Sequence, residues 1–199
     1  MSAPRAPQQL RAQRTRSELL AAARRVFAQL GYNGASVDDV ARAAGCSKGA
    51  YYFHFASKDD IFLALFDEWA AERTAQLRDA GAAELLETLL IPETGGGWGP
   101  RLMIEFWEQS GRNKRLQQKL TSLERSWRRL LESRLSGRGD RKRGPNGVTP
   151  GLVAQLALAL HHGLVVQGCL GQVSRARAME CAATLEALAA RPKALRRAG

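Results

Sequence analysis

The stretch from Ser36 to Lys58, SVDDVARAAGCSKGAYYFHFASK, gathers side chains suited to holding nucleic acid rather than to breaking bonds. Lys48 and Lys58 offer ammonium groups, Tyr52 a hydroxyl and His54 an imidazole, donors that can meet phosphate oxygens. Gly49 and Ala50 are small enough to let a helix backbone approach base edges, and the Ala50 methyl can meet the methyl of thymine. Ser36 and Ser47 can each accept a first-turn backbone N–H as helix caps, with a phosphate contact as a second use of the hydroxyl.

No set of reacting groups competes with this reading. The chain has no serine nucleophile elbow, no HExxH, no phosphate-cradling GxxxxGK and no recognisable frame of paired carboxylates. The GGGWG run at 95–99 lacks the preceding strand that a dinucleotide site needs. Cys46, Cys169 and Cys181 are widely spaced, with no CxxC and no histidine pair at metal spacing. They read as small apolar residues in a reducing cytoplasm, so neither an enzyme nor a metal or other cofactor is expected.

The elements that must position the binding residues are two short helices. Ser36 caps the first, and Asp39, three residues on, can reach back in a capping box and suits the positive end of the helix dipole. Val40, Ala43 and Ala44 give it a small apolar face, and Gly45 supplies the left-handed position that ends it. Cys46 and Ser47 form the turn, and Ser47 opens a second helix of about two turns from Lys48 to Phe55. A helix-turn-helix of this kind lays its second helix in the major groove.

The segment resembles the DNA-binding domain of the TetR/AcrR family of bacterial transcriptional regulators. The likeness is carried by Gly31-Tyr32, Ser36, Ala41 to Gly45, Ser47, Gly49, Tyr52, His54-Phe55 and Ser57-Lys58, and spans roughly residues 14 to 66. Cys46 stands where valine or isoleucine is usual. Tyr51 stands where leucine or phenylalanine is usual, leaving open whether its hydroxyl reaches DNA or packs the domain. The resemblance implies an all-α fold: a three-helix DNA-binding domain at 14–58 behind a basic arm at 1–13, and a helical ligand-binding and dimerisation domain at 59–199. It also implies a homodimer on a palindromic operator in double-stranded DNA, in most cases a repressor, modulated by a small molecule.

Outside the motif the pattern is helical throughout. Thr15 with Glu18 has a capping-box signature, followed by a stripe of Leu19, Ala23, Val26, Phe27 and Leu30 that ends at Gly31. Ser57 caps a longer helix through Gln76 with Ile61, Phe62, Leu65 and Trp69 inward. Further helices are expected at 83–91, at about 100–110 and at about 113–136, with a basic loop at 137–147. The disordered arm begins MSAPRAPQQLRA, which has no apolar stretch of the kind a secretory leader needs.

Charge is unevenly spread. The net charge is +11, yet residues 1–60 carry nine basic against five acidic groups, whereas residues 101–143 carry thirteen against five. The larger excess reads as solvated helix faces and a loop rather than a second nucleic-acid surface. From Gly144 to Ser174 there is no Asp, Glu, Lys or Arg. Gln155, His161, His162 and Gln167 argue against placing this segment in lipid, so a membrane partner is not expected. A helix apolar all round is buried on every side, against its own core and against a second subunit.

By the resemblance, the last two helices, about 150–171 and 174–190, form the dimer seam, with Leu156, Leu160, Leu164, Leu185 and Leu188 in it. Candidate lining for the effector pocket is Phe106, Trp107, Trp127, His161, His162 and Gln167, and the ligand is expected to be apolar or weakly polar. The competing function is a helical ligand-binding or scaffold protein with a vestigial DNA-binding domain, against which the intact set Lys48, Gly49, Ala50, Tyr52, His54 and Lys58 speaks.

Overall fold

The computed structural model describes residues 5–81, 84–91, 98–136 and 148–189. The start of the expected arm, most of the glycine run, the basic loop at 137–147 and the end of the chain lie outside them. Among the described residues the regular elements are helices: α1 (Arg5–Gly34), α2 (Val37–Ala43), α3 (Lys48–His54), α4 (Lys58–Asp79), α5 (Leu85–Leu90), α6 (Trp98–Ser110), α7 (Lys114–Ser136), α8 (Pro150–Cys169) and α9 (Arg175–Ala189).

The local signals set most boundaries. Ser36 Oγ accepts from Asp39 N at 3.1 Å while the Asp39 carboxylate accepts from Ser36 N at 3.0 Å, the reciprocal box anticipated for α2. Ser47, Ser57, Thr149 and Ser174 cap α3, α4, α8 and α9 in the same way, each accepting from the backbone N–H three residues on. Gly45 takes φ 67° after α2, where a residue with a Cβ would be strained.

The start of α1 departs from expectation. Residues 5–13, read as part of an irregular arm, continue the helix, and Glu18 pairs with Arg14 at 2.9 Å instead of closing a box with Thr15. Ala, Gln, Leu and Arg dominate this stretch, and their helix propensity outweighs one capping signature. Leu19, Ala23, Val26 and Phe27 are buried as the stripe requires, but Leu30 lies on the open side. The helix breaks at Gly31, whose φ of 68° and ψ of 170° are not helical.

One aromatic file joins the two halves. Phe27 of α1 meets Phe62 of α4 edge-on at 5.3 Å, Phe62 meets Phe106 of α6 at 4.7 Å, and Trp69 meets Trp127 of α7 at 5.8 Å. Such pairs add about 0.5–1.5 kcal/mol each beyond the area they bury. The small N-terminal unit of α1 to α3 is therefore packed on α4 and α6 rather than tethered to them.

The uncharged helix α8 has two apolar faces with different fates. Val153, Ala154, Ala157, Leu158, His161, Leu164 and Val165 are buried against α5, α6, α7 and α9, while Leu152, Leu156, Leu160, Val166 and Leu170 face outward. Leu164 and Leu185, expected in the dimer seam, are buried in the chain's own core, although Leu164 lies only about 40° round the helix from the outward Leu160. Leu188 is partly buried against the same core. By length and composition α8 is the one described helix that could cross a membrane, and its inner face packs as a core helix does.

Leu164 is only 5 % exposed within the chain. Leu164→Ala is therefore expected to cost about 2–5 kcal/mol of unfolding free energy, read as a lowered denaturant midpoint at unchanged slope.

Candidate functional site

Helix α3 is held by one side and presents the other. Tyr51 is fully buried and its hydroxyl donates to Ser57 O at 3.0 Å, which ties α3 to the cap of α4. Burial raises its phenol pKa well above the usual range. Tyr51 is accordingly a packing residue and not a DNA contact, which corrects its place among the binding candidates. With Tyr51 inward, the helical step throws Lys48, Gly49, Tyr52 and Phe53 outward. Ser36 and Ser47 stand exposed at the two caps, and Ala50 and His54 are half-buried at the edges of the same face.

Two groups on this face were missed in the sequence. Phe53 is 79 % exposed and packs edge-on against the His54 ring at 5.0 Å. A large apolar ring so placed is suited to thymine methyl or sugar contact. Asp38 of α2 holds the Lys48 ammonium at 2.9 Å, and this carboxylate raises the lysine's pKa. The position of Phe53, two beyond the inward Tyr51, was a usable signal. The Asp38–Lys48 pairing bridges two helices and was not.

Lys58 does different work from that expected. Its Nζ donates to Tyr32 O at 2.7 Å and to Ala35 O at 2.9 Å, and lies 4.3 Å from the Tyr32 ring centre. An ammonium so engaged is a brace across the α1–α2 connection, with two of its three donors committed there. Tyr32 is held on all sides: its hydroxyl donates to Asp59, and its backbone N–H donates to Glu105 Oε2 of α6 at 2.9 Å. Asn113 donates to the other Asp59 oxygen at 3.0 Å. At Gly31 a Cβ would fall 2.9 Å from Glu105 Oε1, so the left-handed turn and the close approach both call for glycine.

A second feature lies in the larger half. A cavity of about 30 Å³ is lined by Trp69 and Arg73 of α4, Gly99, Pro100 and Met103 of α6, and His161 and Val165 of α8. Of the six lining candidates only His161 is there. Phe106 and Trp127 are core residues, the latter donating from Nε1 to Thr74 Oγ1 at 2.9 Å. Trp107 packs edge-on against His162 at 5.0 Å, His162 Nε2 faces the Glu124 carboxylate at 3.6 Å, and Gln167 is exposed. Arg73 went unnoticed because an arginine on a long helix reads as surface. Here it is buried, donating to Gln76 Oε1 at 2.8 Å, to Leu89 O at 3.1 Å and to Thr88 O. These carbonyls end α5 and need donors.

Among the described residues no three His, Cys, Asp or Glu side chains come together as a metal site would require.

Residues 19–65 match the model of bacterial regulatory proteins of the tetR family, and residues 99–191 match that of the BetI-type transcriptional repressor C-terminal region. The HTH-type transcriptional repressor AcnR of Corynebacterium glutamicum is 41 % identical over 76 residues, covering 38 % of this chain and 40 % of that protein. The HTH-type transcriptional regulator CymR of Pseudomonas putida is 41 % identical over 85 residues, covering 43 % and 41 %. The chain thus spans less than half the length of these curated relatives. A transcriptional regulator of Rhodococcus sp. Rha1 shares the fold with a TM-score of 0.72 at 24 % identity, covering 87 % of this chain and 95 % of that one. A putative transcriptional regulator of Saccharomonospora viridis in complex with choline does so with a TM-score of 0.72 at 22 % identity, covering 86 % and 95 %.

Two measurements separate the roles assigned above. Lys48→Ala should lower the slope of log affinity for duplex DNA against log salt by about 0.9, the counterion release of one phosphate contact. Lys58→Ala should leave the slope alone and lower the melting temperature; a lost slope with an unchanged melting temperature would reverse the assignment. For His161, burial first and the Arg73 charge second push the pKa down to about 3. The unfolded chain, near 6.5, then takes up a proton that the folded chain refuses. Stability from this group is intact above pH 6.5 and falls by about 1.4 kcal/mol per pH unit once below it. His161→Gln should flatten that limb between pH 6 and 5 in urea titrations.

Proposed function

The chain belongs to the TetR family of bacterial regulatory proteins, and on that premise we propose that it binds a palindromic operator as a homodimer and represses transcription under the control of a small molecule. The observation that carries the reading is the outward face of α3. Lys48, Gly49, Tyr52 and Phe53 are exposed on it while Tyr51 anchors its back. A protein that had lost its nucleic-acid function would have no reason to keep that face polar and small at its N-terminal turn. The proposed setting is the bacterial cytoplasm.

The outward leucines of α8 support the dimer. Leu152, Leu156, Leu160, Val166 and Leu170, with Met179 of α9, form an exposed apolar stripe flanked by Gly163, above which there is open space. A stripe of this kind on a regulator is suited to a second copy of itself, since two-fold pairing lays identical stripes together. Two α3 helices about 34–36 Å apart would then meet successive major grooves. Control by a small molecule is supported by the cavity between α4, α6 and α8 and by the choline held by the Saccharomonospora viridis relative.

Selection from random duplexes should return a two-fold-symmetric sequence; enrichment without symmetry would sink the palindrome. Leu160→Glu should give a folded monomer in sedimentation that binds the selected site at least tenfold more weakly. A dimer of unchanged stability would remove α8 from the interface.

A further inference from the structure

His161 poses a definite hydrogen-bonding problem. Its Nδ1 lies 2.8 Å from Leu89 O, and a carbonyl can only accept, so Nδ1 carries the proton. Nε2 is then a bare lone pair. It is buried and has no hydrogen-bond partner, on a residue only 5 % exposed. The nearest indole cannot serve it: Trp127 packs edge-on at 5.8 Å between ring centres, but its N–H is committed to Thr74. Such an unpaired buried acceptor is costly, and the side chain that carries it lines the cavity, with Nε2 itself covered until a neighbour moves.

Resting on the effector reading above, we infer that this cavity takes the hydrogen-bond donor of a neutral effector, an alcohol, phenol or N–H heterocycle that donates to His161 Nε2 while its carbon skeleton lies against Trp69, Met103 and Val165. The chemistry of the walls selects this class. A lone pair at Nε2 rejects an oxygen that carries no proton, so a carboxylate finds no partner at that nitrogen. The Arg73 guanidinium in the same wall opposes a cation. The imidazole stays neutral through the physiological range and does not switch to a donor.

The space agrees in scale. About 30 Å³ is more than the roughly 10–15 Å³ that a single water needs, so a hydroxyl or a ring N–H fits as it stands. The skeleton enters by displacing Met103, the flexible unbranched side chain in the wall. Leu89 O does not depend on the histidine, because Arg73 also donates to it at 3.1 Å. Replacing His161 therefore leaves no carbonyl stranded.

The test uses the full chain and three probes of similar size: phenol, its methyl ether anisole, and benzylamine. Melting temperature and the nitrogen NMR signal of His161 Nε2 are followed, together with release of the selected operator. Phenol should raise the melting temperature and shift the Nε2 signal, while anisole and benzylamine bind roughly tenfold more weakly. In His161→Phe, phenol and anisole should bind alike, and His161→Gln, which keeps a donor and an acceptor, should restore the preference. Equal binding of phenol and anisole to the native protein overturns the inference, as does benzylamine matching phenol. Silence towards phenol, with an Nε2 signal already that of a hydrogen-bonded nitrogen, also overturns it and assigns the cavity to a structural water. Phenol preference without operator release leaves the site chemistry standing and refutes the regulatory reading instead.

Discussion

What the DNA-facing half can do depends on one half-buried ammonium. Lys58 is the first residue of α4, yet the two carbonyls it holds belong to Tyr32 and Ala35, in the connection between α1 and α2. Hydrogen bonds from a charged donor contribute roughly 1.5–3 kcal/mol each, more than the neutral bonds of a typical loop. The residue before it, Ser57, both caps α4 and accepts the Tyr51 hydroxyl. The orientation of α3 is thereby referred to the N-terminus of α4 through two adjacent residues. The outward positions of Tyr52 and Phe53 follow from that anchoring, and Lys48 is held in addition by Asp38.

The uncharged helix α8 answers a different constraint. A helix cannot be buried all round inside a chain of this size unless something covers its second face. Its inner face is built from Val, Ala, Leu and His residues and its outer face mainly from leucines. Small residues inside let α5, α7 and α9 approach closely, and larger ones outside offer area. The absence of charge along α8 has two separate causes, one per face.

What was legible in the sequence was local. Ser36 with Asp39, Ser47, Gly45 and Ser57 act within four residues of themselves, so type and spacing alone define their roles. The stripe of α1 and the aromatics of α4 were legible for the same reason. Lys58, Asp38 and Arg73 were not, because each is defined by a partner on another element. A lysine beside a motif looks like a phosphate ligand until two carbonyls are found within 3 Å of it. Leu164 and Leu160 are the same residue type four positions apart, and only the packing of neighbouring helices says that one faces in and the other out. The cavity was hardest to read, since its wall draws on three helices and on a glycine and a proline that look like punctuation.

The cavity and the DNA-facing half meet on α6. Met103 stands in the cavity wall, and Glu105, two residues on, takes the Tyr32 N–H at 2.9 Å. Two residues are about 3 Å along a helix axis, so the groups share one rigid segment. Gly31 lies close on the other side, where a Cβ would fall 2.9 Å from Glu105 Oε1 and the carboxylate would have to swing aside. The contact nearest to Met103 on the way to the DNA-facing half is therefore the hydrogen bond from Tyr32 N–H to Glu105. Tyr32 in turn is what Lys58 grips, and Lys58 adjoins the cap that anchors α3. The cavity wall and the reading head are thus joined by a continuous run of named contacts through Glu105, Tyr32 and Lys58.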